Sequence, residues 1–289
     1  MANTAKARPA LAEPWNKLLH YGGYALMLMA IAYLVAAFAK IDFKEALDGV
    51  GPEGVAGILA TGAIYVGLLA LLAQAWSITA AGRCRVEWSV AVQVYGMGVV
   101  AKYVPGAVLQ YASRHVLGAR RGWSHAMMLR ATFSEAALHI VCAAIAGASI
   151  VVLGGAYGGM LAIALGSVAA VVGRQPLLRA AGLQLCAFAG LALCVCWLAA
   201  DVLSMSSAPL IVGAFMTAWI LSFVVPIAPG GIGVRESAFL LLAGALAPLA
   251  DLAVLAILTR AMTIIGDAGF GLLSYGLSLR SRLNRQASG

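Results

Sequence analysis

The sequence predicts an all-α polytopic membrane protein, with about six full spans plus two broken or re-entrant helical hairpins arranged as an inverted-topology repeat. Three observations carry this expectation. Hydrophobic residues make up 63% of the chain and charged residues 10%, whereas a soluble domain has roughly 45–50% and 25%. Several apolar runs approach or exceed the ~20 residues that a spanning helix needs. Two such runs are broken by proline-glycine pairs in similar surroundings.

Residues 1–19 form a basic N-terminal segment with Lys6, Arg8 and Lys17. They lack an apolar core ending in a small-residue cleavage site, so they do not read as a secretory signal. Tyr21 to Ala39 is the first crossing, followed by a loop rich in Asp and Glu with only Lys40 and Lys44. Val55 to Ala80 returns to Arg83 and Arg85. Ser89 to Ser113 is interrupted at Pro105-Gly106 and leads to Arg114, Arg120, Arg121 and Arg130, so both of its ends sit by basic loops. A segment that enters and leaves on one side is a re-entrant hairpin, with proline and glycine supplying the break.

Met127 to Leu153 crosses next, and Gly154 to Gly159 reads as an external turn. Met160 to Val172 returns to Arg174 and Arg179, and Leu183 to Val202 crosses again, with Asp201 marking its external end. Leu210 to Leu249 is broken at Pro226-Ile-Ala-Pro-Gly-Gly-Ile-Gly233 and gives the second hairpin or pair of short helices. Leu252 to Tyr275 returns to a tail, residues 280–289, with Arg280, Arg282 and Arg285.

Lys and Arg concentrate in cytoplasmic loops of membrane proteins. The trace puts both termini in the cytoplasm and the chain in the cell (inner) membrane. Lys102, Arg235 and Arg260 lie at membrane depth, Lys40 and Lys44 outside, and every other Lys and Arg, Arg114 included, in a cytoplasmic loop or tail. The formal charge of +8 is then read as affinity for anionic headgroups, not for nucleic acid. Residues 20–279 form one transmembrane domain. Val104-Pro-Gly-Ala-Val108 aligns with Ala228-Pro-Gly-Gly-Ile232, which divides the domain into pseudo-repeats of about 20–154 and 155–279. Three crossings per half put the second copy upside down, around a midplane site.

An ionised side chain at the centre of a helix in lipid costs at least ~2.5–3.5 kcal/mol and is expected to face protein or a cavity. Lys102, Glu135, Arg235, Glu236 and Arg260 meet that description. Glu135 and Arg260 occupy nearly equivalent places in the two halves, and an ion pair between them is expected. Lys102, Arg235 and Arg260 are candidates to hold a phosphate, while Glu135 and Glu236 pair the cations in the empty site. Helix N-termini beyond Gly106 and Gly233 would add N–H groups for the same anion. The competing reading is that such pairs only fasten helices together. His139 either relays a proton or packs. Asp267 either joins the Arg260 network or lies near the cytoplasmic end. Cys84, Cys142, Cys186, Cys194 and Cys196 lack the spacing of a metal or redox site. No catalytic motif, cofactor loop or metal-ligand cluster is present, so a non-enzymatic protein without cofactor is expected.

Lys102-Tyr-Val-Pro-Gly-Ala-Val-Leu-Gln-Tyr-Ala-Ser-Arg114 and Ala228-Pro-Gly-Gly-Ile-Gly-Val-Arg-Glu-Ser237 resemble the transmembrane region of lysylphosphatidylglycerol synthase, a flippase-like family that includes the flippase part of multiple peptide resistance factors. The resemblance covers essentially the whole chain. Its motifs fall on Lys102, Pro105, Gly106, Arg114, Pro229, Gly230, Gly231, Gly233, Arg235 and Glu236. With the intramembrane charges Glu135 and Arg260, the candidate substrate-binding or transport residues are Lys102, Arg114, Glu135, Arg235, Glu236 and Arg260, and the expected hairpin backbone is Pro105, Gly106, Pro229, Gly230, Gly231 and Gly233. It implies a flippase that moves an anionic or modified phospholipid, or a polyprenyl-phosphate-linked sugar, between leaflets. A glycosyltransferase or lipid synthase is a further expected partner. The synthase domain is absent from this sequence, so lipid aminoacylation is not expected. The alternatives are a membrane-embedded lipid-modifying transferase and a membrane partner of a glycosyltransferase.

Overall fold

The computed structural model describes residues 51–81, 86–103, 109–224, 231 and 233–287. The expected N-terminal segment and first span, Tyr21 to Ala39, lie outside them. So do Pro105, Gly106, Pro229 and Gly230 at the two breaks. The described residues are helical, without a strand. In chain order the helices are α1 (Gly51–Ala81), α2 (Trp88–Ala101), α3 (Leu109–Ala119), α4 (His125–Leu153), α5 (Gly155–Val172), α6 (Pro176–Trp197), α7 (Ala208–Val224), α8 (Val234–Ala243) and α9 (Leu249–Ala287). A π-helical turn over Leu198–Val202 continues α6.

Five of these segments are long and apolar enough to cross a membrane: Gly51–Ala80, His125–Leu153, Gly155–Val172, Pro176–Val202 and Leu249–Ser281. Their outer faces are apolar too, with Tyr157 78% and Val171 82% exposed. Large apolar surface of that kind belongs against lipid, not water. At 1.5 Å per residue, α3 and α8 are only about 17 and 15 Å long, short of the ~30 Å hydrocarbon core. The four short helices therefore form two pairs, α2 with α3 and α7 with α8, each pair in contact across one of the expected breaks.

The helix ends follow local chemistry. Ser124 caps α4 by accepting from the Met127 N–H at 3.2 Å, as N-cap serines do. Pro176 opens α6, where its missing N–H has no helical partner to lose. The turn after α4 is tighter than the expected Gly154 to Gly159: Gly154 and Gly155 have φ of +84° and +45°, a backbone that glycine enters readily. α5 consequently starts at Gly155 and reaches full spanning length. The last helix runs from Leu249 to Ala287, about 58 Å, well beyond the expected Leu252 to Tyr275. No proline or cap interrupts it before the basic tail.

Two central helices organise the packing. α6 is the most enclosed span and α9 the next; α6 packs on α1, α4, α5 and α7, and α9 on α1, α2 and α8. Close approach is made possible by glycine. A Cβ on Gly266 of α9 would strike Tyr65 and the Gly62 carbonyl of α1, and one on Gly62 would strike Ile265. Gly166 and Gly182 oppose each other where α5 crosses α6, and Gly96 of α2 lies against Ser274 of α9. Without a hydrophobic drive between helices in lipid, contacts of this kind carry much of the association.

Gly266→Leu should therefore force α1 and α9 apart and cost at least about 1–3 kcal/mol, the usual range for overpacking. Gly67, with open space where its Cβ would be, serves as the control: Gly67→Ala should be neutral or stabilising by up to about 1 kcal/mol. Thermal unfolding of both variants in detergent measures the difference.

Candidate functional site

Two polar networks lie among the described helices. The first forms where the two broken pairs meet α9. Lys102 follows the last turn of α2, and its Nζ lies 2.7 Å from Oδ2 of Asp267 on α9. The hydroxyl of Tyr103 donates to the same oxygen. Asp267 is 2% exposed, and its other oxygen, Oδ1, has no hydrogen-bond partner among the described residues. Two helical turns earlier on α9, Arg260 reaches Oε1 of Glu236 at 3.6 Å. Arg235 reaches that oxygen at 3.2 Å and lies over the Phe215 ring.

Glu236 also accepts from the Gly233 N–H through Oε2 at 2.9 Å. Gly231 and Gly233 have φ of +71° and +86°, so the chain entering α8 needs glycine at both places. The result is a helix N-terminus whose free N–H and positive dipole end face a carboxylate. Glu236, the third residue of α8, is thus held by one backbone N–H and two guanidinium groups. Lys102, Tyr103, Asp267, Arg235 and Arg260 are within electrostatic range of one another, and Tyr65 of α1 is exposed to the same charges. Among the described residues, three cations and two carboxylates make up these groups, a formal surplus of one positive charge.

The second network is sealed. Arg114 of α3 donates to Oε2 of Glu135 at 2.7 Å, with side-chain exposures of 6% and 4%. Its guanidinium lies 3.8 Å from the centre of the Tyr95 ring, with the Trp76 and Tyr111 rings farther out. His139, one turn after Glu135, bonds through Nδ1 to Oε1 of Gln184 on α6 at 2.7 Å and is surrounded by Phe188, Trp219 and Phe223. Met128, Ala131, Glu135, His139, Cys142, Ala146 and Ile150 are the buried stripe of α4, spaced at the helical period that turns one face inward. Glu135 and His139 are therefore core residues of that stripe, paired in place.

The structure corrects three expectations. Glu135 pairs with Arg114, and Arg260 with Glu236, instead of Glu135 with Arg260. Arg114, expected beside a cytoplasmic loop and as a substrate-binding residue, is buried: the first turns of α3 carry it under the Tyr95 ring, where Glu135 neutralises it. The predicted site is also divided. Arg235, Glu236 and Arg260 form one ion-paired cluster and Lys102 pairs with Asp267 within electrostatic range of it, whereas no ion pair among the described residues links either group to Arg114 and Glu135.

Tyr103, Tyr65 and the pairing of Asp267 with Lys102 were not legible in the sequence, although an acidic residue inside the last apolar run was a signal for the last of these. Cys142, Cys186, Cys194 and Cys196 are buried free thiols. No group of three or more His, Cys, Asp or Glu is gathered for a metal among the described residues.

Removing one partner of the sealed pair leaves a buried charge alone, which costs about 3–5 kcal/mol. Glu135→Leu should lower stability in detergent by that order, and Arg114→Met combined with Glu135→Leu should recover most of it, as read by thermal unfolding. The chain matches no protein-family model, no curated protein and no solved structure.

Proposed function

We propose that this chain is a lipid transporter of the flippase type. It moves a lipid with a phosphate-bearing headgroup, either an anionic or modified phospholipid or a polyprenyl-phosphate-linked sugar, between the leaflets of the cell (inner) membrane. The observation that carries the reading is the meeting of Lys102, Arg235 and Arg260 at the ends of two broken helix pairs, beside long apolar helices, with Glu236 in the anion position. Cations at such depth are costly unless they serve a polar pathway or a partner. One surplus positive charge suits a headgroup phosphate. The headgroup displaces Glu236 from the guanidinium groups and the α8 N-terminus, while the acyl or prenyl tails stay in lipid.

An inverted repeat is part of the same proposal, and the helix spacing supports it. The helices α1, α2, α3 and α4 begin at residues 51, 88, 109 and 125, and α6, α7, α8 and α9 at 176, 208, 234 and 249, a nearly constant offset. The packing follows it: α2 lies on α9, as α7 lies on α4. Each half also has one ion pair joining its second short helix to the following long one, with the charges exchanged. These are Arg114 to Glu135 in the first half and Glu236 to Arg260 in the second. Two-fold arrangements of broken helices around a midplane site are a common transporter architecture. With basic loops and both termini cytoplasmic, the two broken pairs act as opposed gates.

The test is reconstitution into phosphatidylcholine vesicles with fluorescent phosphatidylglycerol or a fluorescent prenyl-phosphate sugar. Protein-dependent movement between leaflets is expected, with the lipid unchanged by mass spectrometry. No movement of either probe overturns the reading, and a covalently altered lipid replaces it with a transferase. Charge-assisted contacts contribute about 1.5–3 kcal/mol, so Arg260→Ala and Arg235→Ala should each slow movement roughly ten- to hundredfold. Arg130→Ala, at an exposed position, should leave it unchanged.

A further inference from the structure

Asp267 is the residue of the polar network that anion binding leaves unexplained. The carboxylate is buried, Oδ2 is held by Lys102 Nζ and the Tyr103 hydroxyl, and Oδ1 has no hydrogen-bond partner among the described residues. Among the described residues, charged and titratable groups near it come from each helix packed around it. They are Tyr65 of α1, Lys102 and Tyr103 at the end of α2, Arg235 with its partner Glu236 on α8, and Arg260 of α9 itself. Asp201, in the π turn that also touches α9, lies instead at an exposed edge beside Cys196.

Lys102 is thus the cation that must be shared between Asp267 and an incoming phosphate. If it turns to the phosphate, Asp267 keeps only a neutral phenol as direct partner. A buried carboxylate without its counter-ion costs several kcal/mol, and such a group takes up a proton instead. Oδ1, with no hydrogen-bond partner among the described residues, is the atom that can accept it.

We propose that Asp267 couples the anion to a proton. Lys102 passes from Asp267 to the phosphate as the site fills, Asp267 is protonated from the water on that side, and proton and monoanion cross together. On the far side the phosphate leaves, Lys102 returns to Oδ2, the Oδ1–H bond breaks and the proton enters the water there. The network carries one surplus positive charge when empty. It carries the same charge when it holds both a monoanion and a proton, so one proton per phosphodiester makes the transfer electroneutral. The inference rests on the lipid-transport reading and adds to it the coupling ion and the residue that carries it.

The experiment uses the full chain in phosphatidylcholine vesicles containing fluorescent phosphatidylglycerol or, in a second arm, a fluorescent prenyl-phosphate sugar. Both probes are phosphodiester monoanions, and the arms show which lipid source the site accepts. A gradient of one pH unit should enrich the moved probe about tenfold in the leaflet facing the alkaline side, since each pH unit and each tenfold ratio correspond to the same ~1.4 kcal/mol. A membrane potential alone should produce no asymmetry.

In Asp267→Asn the pattern should reverse. The pH gradient should have no effect, and a potential of about 59 mV should give the tenfold asymmetry of an uncoupled monoanion. Asp267→Glu, which keeps a carboxylate, should retain the pH response. A pH-sensitive dye inside the vesicles should report proton entry with the lipid in the native chain, which tests the coupling even where the Asn variant does not fold. Lipid movement without pH-driven asymmetry overturns this inference and leaves the transport reading standing, as does a pH response that survives in Asp267→Asn. No movement in any arm overturns both.

Discussion

An ionised group inside an apolar helix bundle must find an opposite charge or a strong hydrogen-bond donor close by, because the interior cannot solvate it as water does. Glu135, Glu236 and Asp267 each meet that demand with a cation from another element, Arg114 of α3, Arg260 of α9 and Lys102 at the end of α2, and Glu236 also with its neighbour Arg235. Only one of these links joins neighbours in sequence, Arg235 with Glu236. The others fix short helices to long ones. The positions of α2, α3 and α8 therefore depend on charge pairing as much as on apolar contact, and those short helices lead to or from the two breaks in the chain.

The pairs are not equivalent in what they can do. Arg114 and Glu135 are enclosed by Tyr95, Trp76 and Tyr111, with His139 and its aromatic neighbours one turn away. Opening that cluster would expose an Arg and a Glu to apolar side chains, so it acts as a fixed joint. Glu236 is shared among Gly233, Arg235 and Arg260 at looser distances and with more exposure. The two clusters thus differ in tightness and in enclosure.

Glycine makes both arrangements possible. α1 and α9 approach through Gly62 and Gly266, which sets Tyr65 beside the Lys102–Asp267 pair. Gly96 lets α2 lie on α9 at Ser274, whose hydroxyl donates to the Gln93 carbonyl at 3.2 Å. The same contact sets the end of α2 beside Asp267. The small residues thus determine which charges can reach one another.

The sequence by itself determined that the chain is helical and apolar enough to cross a membrane several times. It also singled out the expected breaks at Pro105-Gly106 and from Pro226 to Gly233, and the charges too deep to be solvated. These are one-dimensional quantities, because length, hydropathy and the cost of a buried charge accumulate along a single helix. Even there, the reversal at Gly154 and Gly155 and the continuation of α9 to Ala287 depended on backbone conformation that hydropathy does not encode. Only the tertiary structure decided the partners. Lys102 and Asp267 are far apart in the chain, and the partner of Arg114 was set only when α3 carried it beneath Tyr95 and against Glu135. Pairing depends on which helix faces meet and how closely, and those faces are set by packing between segments that the sequence lists far apart.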